Sequence, residues 1–250
     1  IHMLSIPVQR GEEPTTPVHK LSPLSEDEVV QAAFAIPIEK NDIGERYVLT
    51  VTRQGMVKKS LVTELPGASA NRFTLVKVND GDELFRVLLT DGKKEVLLTT
   101  AKGMSIRFSE TDVRPMGLLA AGVNGIKLKE GDYVVGASLI EAGNEVGLVT
   151  NQGWAKRIKA EEFPQQGRYG QGVISWKLKG EDSIVVQLCG KLTDRGVCHF
   201  RKSASKVFTL TNAVERTRQA NGQILFKLKP DDELIGFTCL DDFSSYWEKA

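Results

Sequence analysis

Residues 81–132 read GDELFRVLLTDGKKEVLLTTAKGMSIRFSETDVRPMGLLAAGVNGIKLKEGD, a stretch that closes on the same Gly-Asp pair with which it opens. The motif continues: GDELF at Gly81, GDYVV at Gly131, GEDSIV at Gly180 and PDDELI at Pro230 are spaced by 50, 49 and 50 residues, and each opens an apolar run. Just before them stand TLVKV, GIKL, SWKL and LFKL, whose lysines Lys77, Lys127, Lys177 and Lys227 fall 50 apart. A third element, QGMVKKS, KGMSIRFS, QGWAKRIK and SASKVFTL, puts a small-residue turn before a strand carrying basic side chains. Self-similarity at one fixed period identifies a repeat architecture.

Inside one period the pattern is all β. DELFRVLLT, EVLLTTAKG, SIRFSE and GVNGIKL alternate or run apolar for strand lengths, divided by DGKK, AKG and a glycine-rich connection. Four short strands per unit cannot bury both faces of one small sheet, so units must stack as blades around an axis. The expectation is a propeller-like disc with repeat units 26–80, 81–130, 131–180 and 181–230. The first is a weaker copy: SEDEVVQAAFAIP matches the opening run, PVHKL at Pro17 matches the segment before it, and the polar stretch IEKNDIGER lengthens the spacing as a surface hairpin loop. Residues 231–242 supply one more opening strand and residues 4–25 supply closing strands, so the ends are expected to join as a composite fifth blade that covers exposed sheet edges. Ile1-His2-Met3 reads as a cloning scar, residues 4–242 as one domain, and 243–250 as a tail, helical or frayed.

Composition bounds the function. In 250 residues, 33 Lys and Arg nearly cancel 32 Asp and Glu, so any nucleic-acid surface must come from local clustering. Such clustering exists. From Lys191 to Arg218 seven basic residues (Lys191, Arg195, Arg201, Lys202, Lys206, Arg216, Arg218) face two acidic ones, Asp194 and Glu215, while from Glu26 to Glu45 six acidic residues face one lysine. Strand cations Lys58, Lys59, Arg107, Lys156 and Arg157 add charge at related turns. Cys189, Cys198 and Cys239 form no CxxC pair, and with His2, His19 and His199 they make no metal site; they read as small buried or half-buried residues of a reduced protein. No apolar run approaches the roughly 18 residues that span a bilayer. No phosphate-binding loop and no nucleophile, histidine and acid set stands out, so neither a catalytic residue nor a cofactor is expected.

YVLTVTRQGMVKKS, EVLLTTAKGMSIRFSETDVRPMGLLAAGVNGIKLKEGD and EVGLVTNQGWAKRIKAEEFPQQGRYGQGVISWKL together resemble blades of the C-terminal domain of the DNA gyrase A subunit or of its topoisomerase IV counterpart. The likeness runs from about Val48 to Leu240. It implies a β-pinwheel, in which a strand of each blade is exchanged with its neighbour. It also implies a non-catalytic domain of a cytoplasmic, nucleoid-associated type IIA topoisomerase that bends or wraps double-stranded DNA around a basic rim and presents a segment to the cleavage gate during supercoiling. The partners implied are DNA, the N-terminal cleavage domain of the same polypeptide and the ATPase (B) subunit, with the isolated domain monomeric; cleavage and ATP chemistry lie outside this chain. Tyr47, Tyr133, Tyr169 and Tyr246 lack the arginine-tyrosine setting of the family's catalytic domain.

The family's hallmark is a box of the form QRRGGKG on a loop between blades. QGRYGQG keeps Gln166, Arg168, Gly170 and Gly172 and departs at Gly167, Tyr169 and Gln171, with the loss of two positive charges. In register with it, MGLLAAG (116–122) and RTRQANG (216–222) keep the final glycine, PGASANR (66–72) does not, and QRGEEPT at Gln9 begins like a box and turns acidic. The box departures imply one of two things: an intact box in an upstream blade, or weak wrapping.

A duplex follows a rim by phosphate contacts with cations, and eight such contacts would give a slope of log affinity against log salt of roughly −7. The DNA-binding set expected from sequence is therefore Lys58, Lys59, Arg107, Lys156, Arg157, Arg168, Lys191, Arg195, Arg201, Lys202, Lys206, Arg216 and Arg218. The blander readings make Lys77, Lys127, Lys177 and Lys227 covers for the sheets with their stems, Trp154, Trp176 and Phe226 packing residues, and the loop glycines turn formers. Rival functions are a topoisomerase IV-type domain, a propeller that binds protein and no DNA, and a glycan-binding or enzymatic propeller, which needs aromatic or acidic groups converging on the axis.

Overall fold

The computed structural model describes residues 16–22, 24–33, 44–67 and 72–239. Apart from one helical turn at Val18–Leu21, the described chain is β-strands with short 3-10 turns, arranged as four small antiparallel sheets in a ring.

The first sheet holds β1 (Tyr47–Thr52), β2 (Met56–Leu61), β3 (Leu84–Thr90) and β6 (Val123–Asn124) in the order β3-β1-β2-β6. The second holds β4 (Glu95–Thr100), β5 (Met104–Ser109), β7 (Val134–Ile140) and β10 (Val173–Ile174) in the order β7-β4-β5-β10. The third, built from β8 (Glu145–Thr150), β9 (Trp154–Lys159), β11 (Ile184–Gly190) and β14 (Gln223–Ile224), runs β11-β8-β9-β14. The fourth, β15-β12-β13, comprises β12 (Arg195–Phe200), β13 (Lys206–Thr209) and β15 (Leu234–Cys239). The inner strands β3, β7, β11 and β15 line a central cavity of about 770 Å³.

Sheets and sequence units are out of phase. The unit 81–130 gives β3 and β6 to the first sheet and β4 and β5 to the second, because the chain leaves β5 through a 3-10 turn at Glu110–Asp112, crosses to the first sheet and pairs there as Met56↔Asn124 and Val57↔Val123. The same exchange puts β10 on β5 and β14 on β9. The composite fifth blade is corrected on the same ground. Within 231–242, Leu234–Cys239 is the inner strand of the fourth sheet, in register Val197↔Thr238 and Cys198↔Phe237. Residues 18–21 form a helical turn in place of a closing strand, and the opening run at 26–33 carries no strand. Residues 30–33 instead line the central cavity. The scar at 1–3, the start of the closing segment and the tail at 243–250 lie outside the described residues.

Period-2 alternation explains the packing. Leu98 of β4 faces the first sheet, where it joins Leu49, Val51 and Val57, while its neighbour Leu97 faces Leu148 and Ile158 of the third. One strand on, Leu148 points back to the second sheet and Val149 forward to Cys198 and Phe208 of the fourth. Strands buried on both faces read as continuous apolar runs, and full burial of each such side chain contributes about 1.5–3 kcal/mol. Trp176 and Phe226 are buried in these layers, as expected. Trp154 is not: it is 39% exposed at the outer-edge pair with Ile224, where no further sheet covers it.

Candidate nucleic-acid interface

The strand cations lie at equivalent positions, and the exchange of outer strands determines their surroundings. Lys58 and Lys156 each stand three residues after a turn glycine, Gly55 and Gly153, and both are buried beneath the loop that the next repeat lays over the sheet. Lys58 Nζ donates to the carbonyls of Leu75 and Leu118, the latter at 2.8 Å. Lys156 Nζ donates to Arg218 O at 2.6 Å, Ala220 O at 2.8 Å and Thr217 O at 3.4 Å, and lies 4.7 Å from the Trp176 ring centroid. Burial pushes the Lys156 amine down from 10.5 to about 8 and lowers that of Lys58 too.

One residue further along, Lys59, Arg107 and Arg157 hold the following repeat's 3-10 turn. Lys59 Nζ donates to Glu110 O at 2.8 Å, Arg107 Nη1 to Ala160 O and Phe163 O at 3.1 Å each, and Arg157 Nε to Ala213 O at 3.0 Å. Arg107 also pairs with Glu95, and Arg157 with Glu145 and with Glu215, the last at 3.1 Å. These five side chains, expected at a basic rim, bond to carbonyls and carboxylates between repeats. Strand alternation alone reads them as solvated because their partners arrive from fifty residues downstream.

The loop 166–172 is similarly tied down. Gln166 N donates to Arg107 O at 2.8 Å, Tyr169 N to Gly125 O at 2.7 Å, and Gly170 O accepts from Lys127 N at 2.9 Å. Arg168 reaches Asp112 O through Nε at 3.2 Å and Asn124 O through Nη1 at 2.9 Å. Tyr169 sits at φ 65, in the left-handed region, with its side chain 49% exposed. Gly172 shows why each of these loops ends on glycine: at φ 75, a Cβ there would lie 2.3 Å from Ser105 O. At Gly122 and Gly222 the corresponding approaches, to Val57 O and Ala155 O, are 2.5 and 2.4 Å. Gly167 has open space around it, and Gln171 is exposed.

The remaining cations of the set gather on the fourth sheet and its approach. Lys191, Arg195, Arg201, Lys202, Lys206 and Arg216 are all exposed, whereas Arg218 is half-buried with Nη1 on Ile174 O at 2.8 Å. Arg201 pairs with Glu233, and Lys202 lies 3.9 Å from Asp231. Among the described residues the side chains of Lys191 and Arg195 make no ion pair, although the Lys191 backbone N–H donates to Asp194 Oδ2 at 2.9 Å. Lys206 occupies the position of Lys58 and Lys156, but among the described residues no loop overlies it, and its Nζ rests over the Phe200 and Phe226 rings at 5.5 and 5.8 Å. Lys77, Lys127, Lys177 and Lys227 are exposed as well, and each is followed within four residues by an exposed carboxylate, Asp80, Glu130, Glu181 and Asp231. The described lining of the central cavity includes no carboxylate.

The family model described as the DNA gyrase C-terminal domain, beta-propeller, matches residues 46–91, 94–141, 145–186 and 206–241. The DNA gyrase A subunit of Escherichia coli (strain K12) is 39% identical over 110 residues, which are 44% of this chain and 12% of the relative. Its counterpart from Haemophilus influenzae is 36% identical over the same length, again 44% of this chain and 12% of the relative. The chain thus matches only about an eighth of the length of these curated relatives. Among solved structures, the C-terminal domain of DNA topoisomerase IV aligns with a TM-score of 0.80 at 29% identity, covering 90% of this chain and 70% of that one. A DNA gyrase A C-terminal domain aligns with a TM-score of 0.76 at 22% identity, covering 90% and 74%, and so shares the fold. With four matched segments spanning most of its length, the chain belongs to the DNA gyrase C-terminal domain, beta-propeller family.

Proposed function

We propose that the chain binds duplex DNA by its phosphate backbone and serves as a non-catalytic DNA-bending module within a type IIA topoisomerase. The observation that carries this reading is the exposed cluster Lys191, Arg195, Arg201, Lys202, Lys206 and Arg216 on the fourth sheet and its neighbouring loop. Membership of the gyrase family supports it. Phosphate contacts need cations at close approach and no base-reading pocket, and the exposure of these six side chains supplies the approach.

Six contacts, in place of eight, lower the slope of log affinity against log salt to roughly −5. The narrowed set also favours bending over full wrapping, because turning 20–30 base pairs by 40–90° costs about 1–6 kcal/mol and the box loop supplies no free arginine. In the whole protein, cleavage falls to the N-terminal part of the polypeptide and ATP hydrolysis to the B subunit. Gel shifts with linear duplex at about 50 mM salt test the proposal: retarded complexes are expected, and their absence would leave the protein-binding propeller as the better account. Ligation of nicked circles with the chain bound then separates the modes, since a positive linking shift marks wrapping and an unchanged linking number marks bending or simple binding.

A further inference from the structure

Two arginines fifty residues apart make the same bond to the neighbouring blade. Arg168 Nη1 donates to Asn124 O at 2.9 Å and Arg218 Nη1 to Ile174 O at 2.8 Å. Asn124 and Ile174 are the last residues of β6 and β10, the outer strands of the first and second sheets. The loops that carry the arginines lie one sheet further on, anchored by Gln166 N on Arg107 O at 2.8 Å and by Arg216 N on Arg157 O at 2.9 Å. Each guanidinium therefore bridges consecutive blades along their outer edge.

A second tie accompanies each. Arg168 Nε donates to Asp112 O at 3.2 Å, and the Arg218 backbone N–H donates to a Glu162 carboxylate oxygen at 3.0 Å. Asp112 and Glu162 both close the 3-10 turns at 110–112 and 160–162, which are latched to the first and second sheets respectively. In the preceding loop the corresponding residue is Leu118, which forms no such bridge through its side chain. Hydrogen bonds donated by a charged group are roughly twice as strong as neutral ones, and a guanidinium presents its donors in a rigid planar fork whose fixed directions the compact ammonium of lysine does not reproduce.

We propose that Arg168 and Arg218 are positioning residues, inter-blade struts that fix the step from one outer strand to the next. Through that step they set the curvature of the rim along which a duplex lies. The second half rests on the DNA-binding reading; the first does not. The strut assignment differs from that of a phosphate ligand, whose guanidinium must point away from the protein.

Amide exchange on the DNA-free 250-residue chain tests the strut. Tyr169 and Lys127 donate their N–H groups across the junction that Arg168 spans, to Gly125 O and Gly170 O. In both Arg168→Ala and Arg168→Lys these two amides are expected to exchange about tenfold faster, the factor given by loss of one charge-assisted hydrogen bond. Amides of Leu49 and Leu97 in the core strands are expected to be unchanged, which shows that the fold is intact. Unchanged exchange at Tyr169 and Lys127 in both variants would overturn the strut. With DNA, both variants are expected to reduce the linking shift or bend by half or more while duplex affinity stays within about threefold, since phosphate contacts are untouched. Retention of bend by Arg168→Lys alongside its loss in Arg168→Ala would identify a charge contact and refute the proposal. If the unmodified chain binds no duplex, the DNA reading falls while the exchange measurement still decides the strut.

Discussion

Lys156 shows how one buried side chain organises its repeat. Its ammonium is surrounded by three carbonyls of the loop 217–220 and the face of Trp176, so it closes that loop onto the third sheet from beneath. Lys156→Met keeps the length of the stem and leaves those carbonyls without a donor. Unfolding by denaturant is expected to show a loss of about 2–3 kcal/mol, the cost of orphaning buried acceptors. The pH dependence has a definite sign. Below about pH 8 folded and unfolded chains both hold the proton, and the folded state carries the full penalty of burying the charge. Between about 8 and the ordinary 10.5 the unfolded chain holds it more tightly, so stability rises with pH across that window. The difference between wild-type and Lys156→Met stability, measured from pH 7 to 10, is expected to carry that rise; a flat difference would mean the amine is not desolvated.

At the scale of elements, the two-residue outer strands β6, β10 and β14 hold the ring together, and each depends on a close approach that only glycine permits. Gly172→Ala places a methyl against Ser105 O in a left-handed backbone conformation. A loss of about 1–3 kcal/mol is expected from that strain, together with faster exchange of the backbone amides that pair β10 with β5. Retention of wild-type exchange there would show that β10 contributes nothing to the second sheet. The cations at 59, 107 and 157 act on the same connections, and the residue at the equivalent position of the fourth sheet is Val207, which latches no 3-10 turn among the described residues and is 56% exposed. This arrangement was only half legible from sequence. Strands of six or seven residues announce themselves by apolar runs such as EVLLTT, but a strand of two residues has no periodicity, and nothing local says that it pairs with the previous blade. The basic residues of KKS and AKRIK looked solvated because their carbonyl partners lie in the next repeat.

For the whole molecule, charge is distributed by what the exchange buries. Lys58, Lys59, Arg107, Lys156 and Arg157 of the earlier sheets are internal or tied, and the cations of the fourth sheet, which no other described segment covers, face solvent. Charge reversal at Lys191 and Arg195 together is therefore expected to weaken duplex binding about a hundredfold at low salt and to flatten the salt slope by roughly 1.8, two contacts' worth. Reversal at Arg201 and Lys202 is expected to have a several-fold effect, because Glu233 and Asp231 already offset those charges. Titration of labelled duplex by fluorescence anisotropy at several salt concentrations reads both; equal slopes for wild type and the first double variant would place the DNA path elsewhere on the disc.

Sequence by itself determined the repeat, its period near fifty residues, the all-β content and the family, since periodicity, turn glycines and apolar alternation are properties of neighbouring residues. It also located the box-like loop and its shared final glycine. Tertiary structure alone decided which strands pair, that Leu234–Cys239 completes the fourth sheet, and that Lys58, Lys59, Arg107, Lys156 and Arg157 face the protein while Lys191 and Arg195 face solvent. The physical reason is that a cation's surroundings are set by whatever chain folds over it, and here that chain comes from one blade further on.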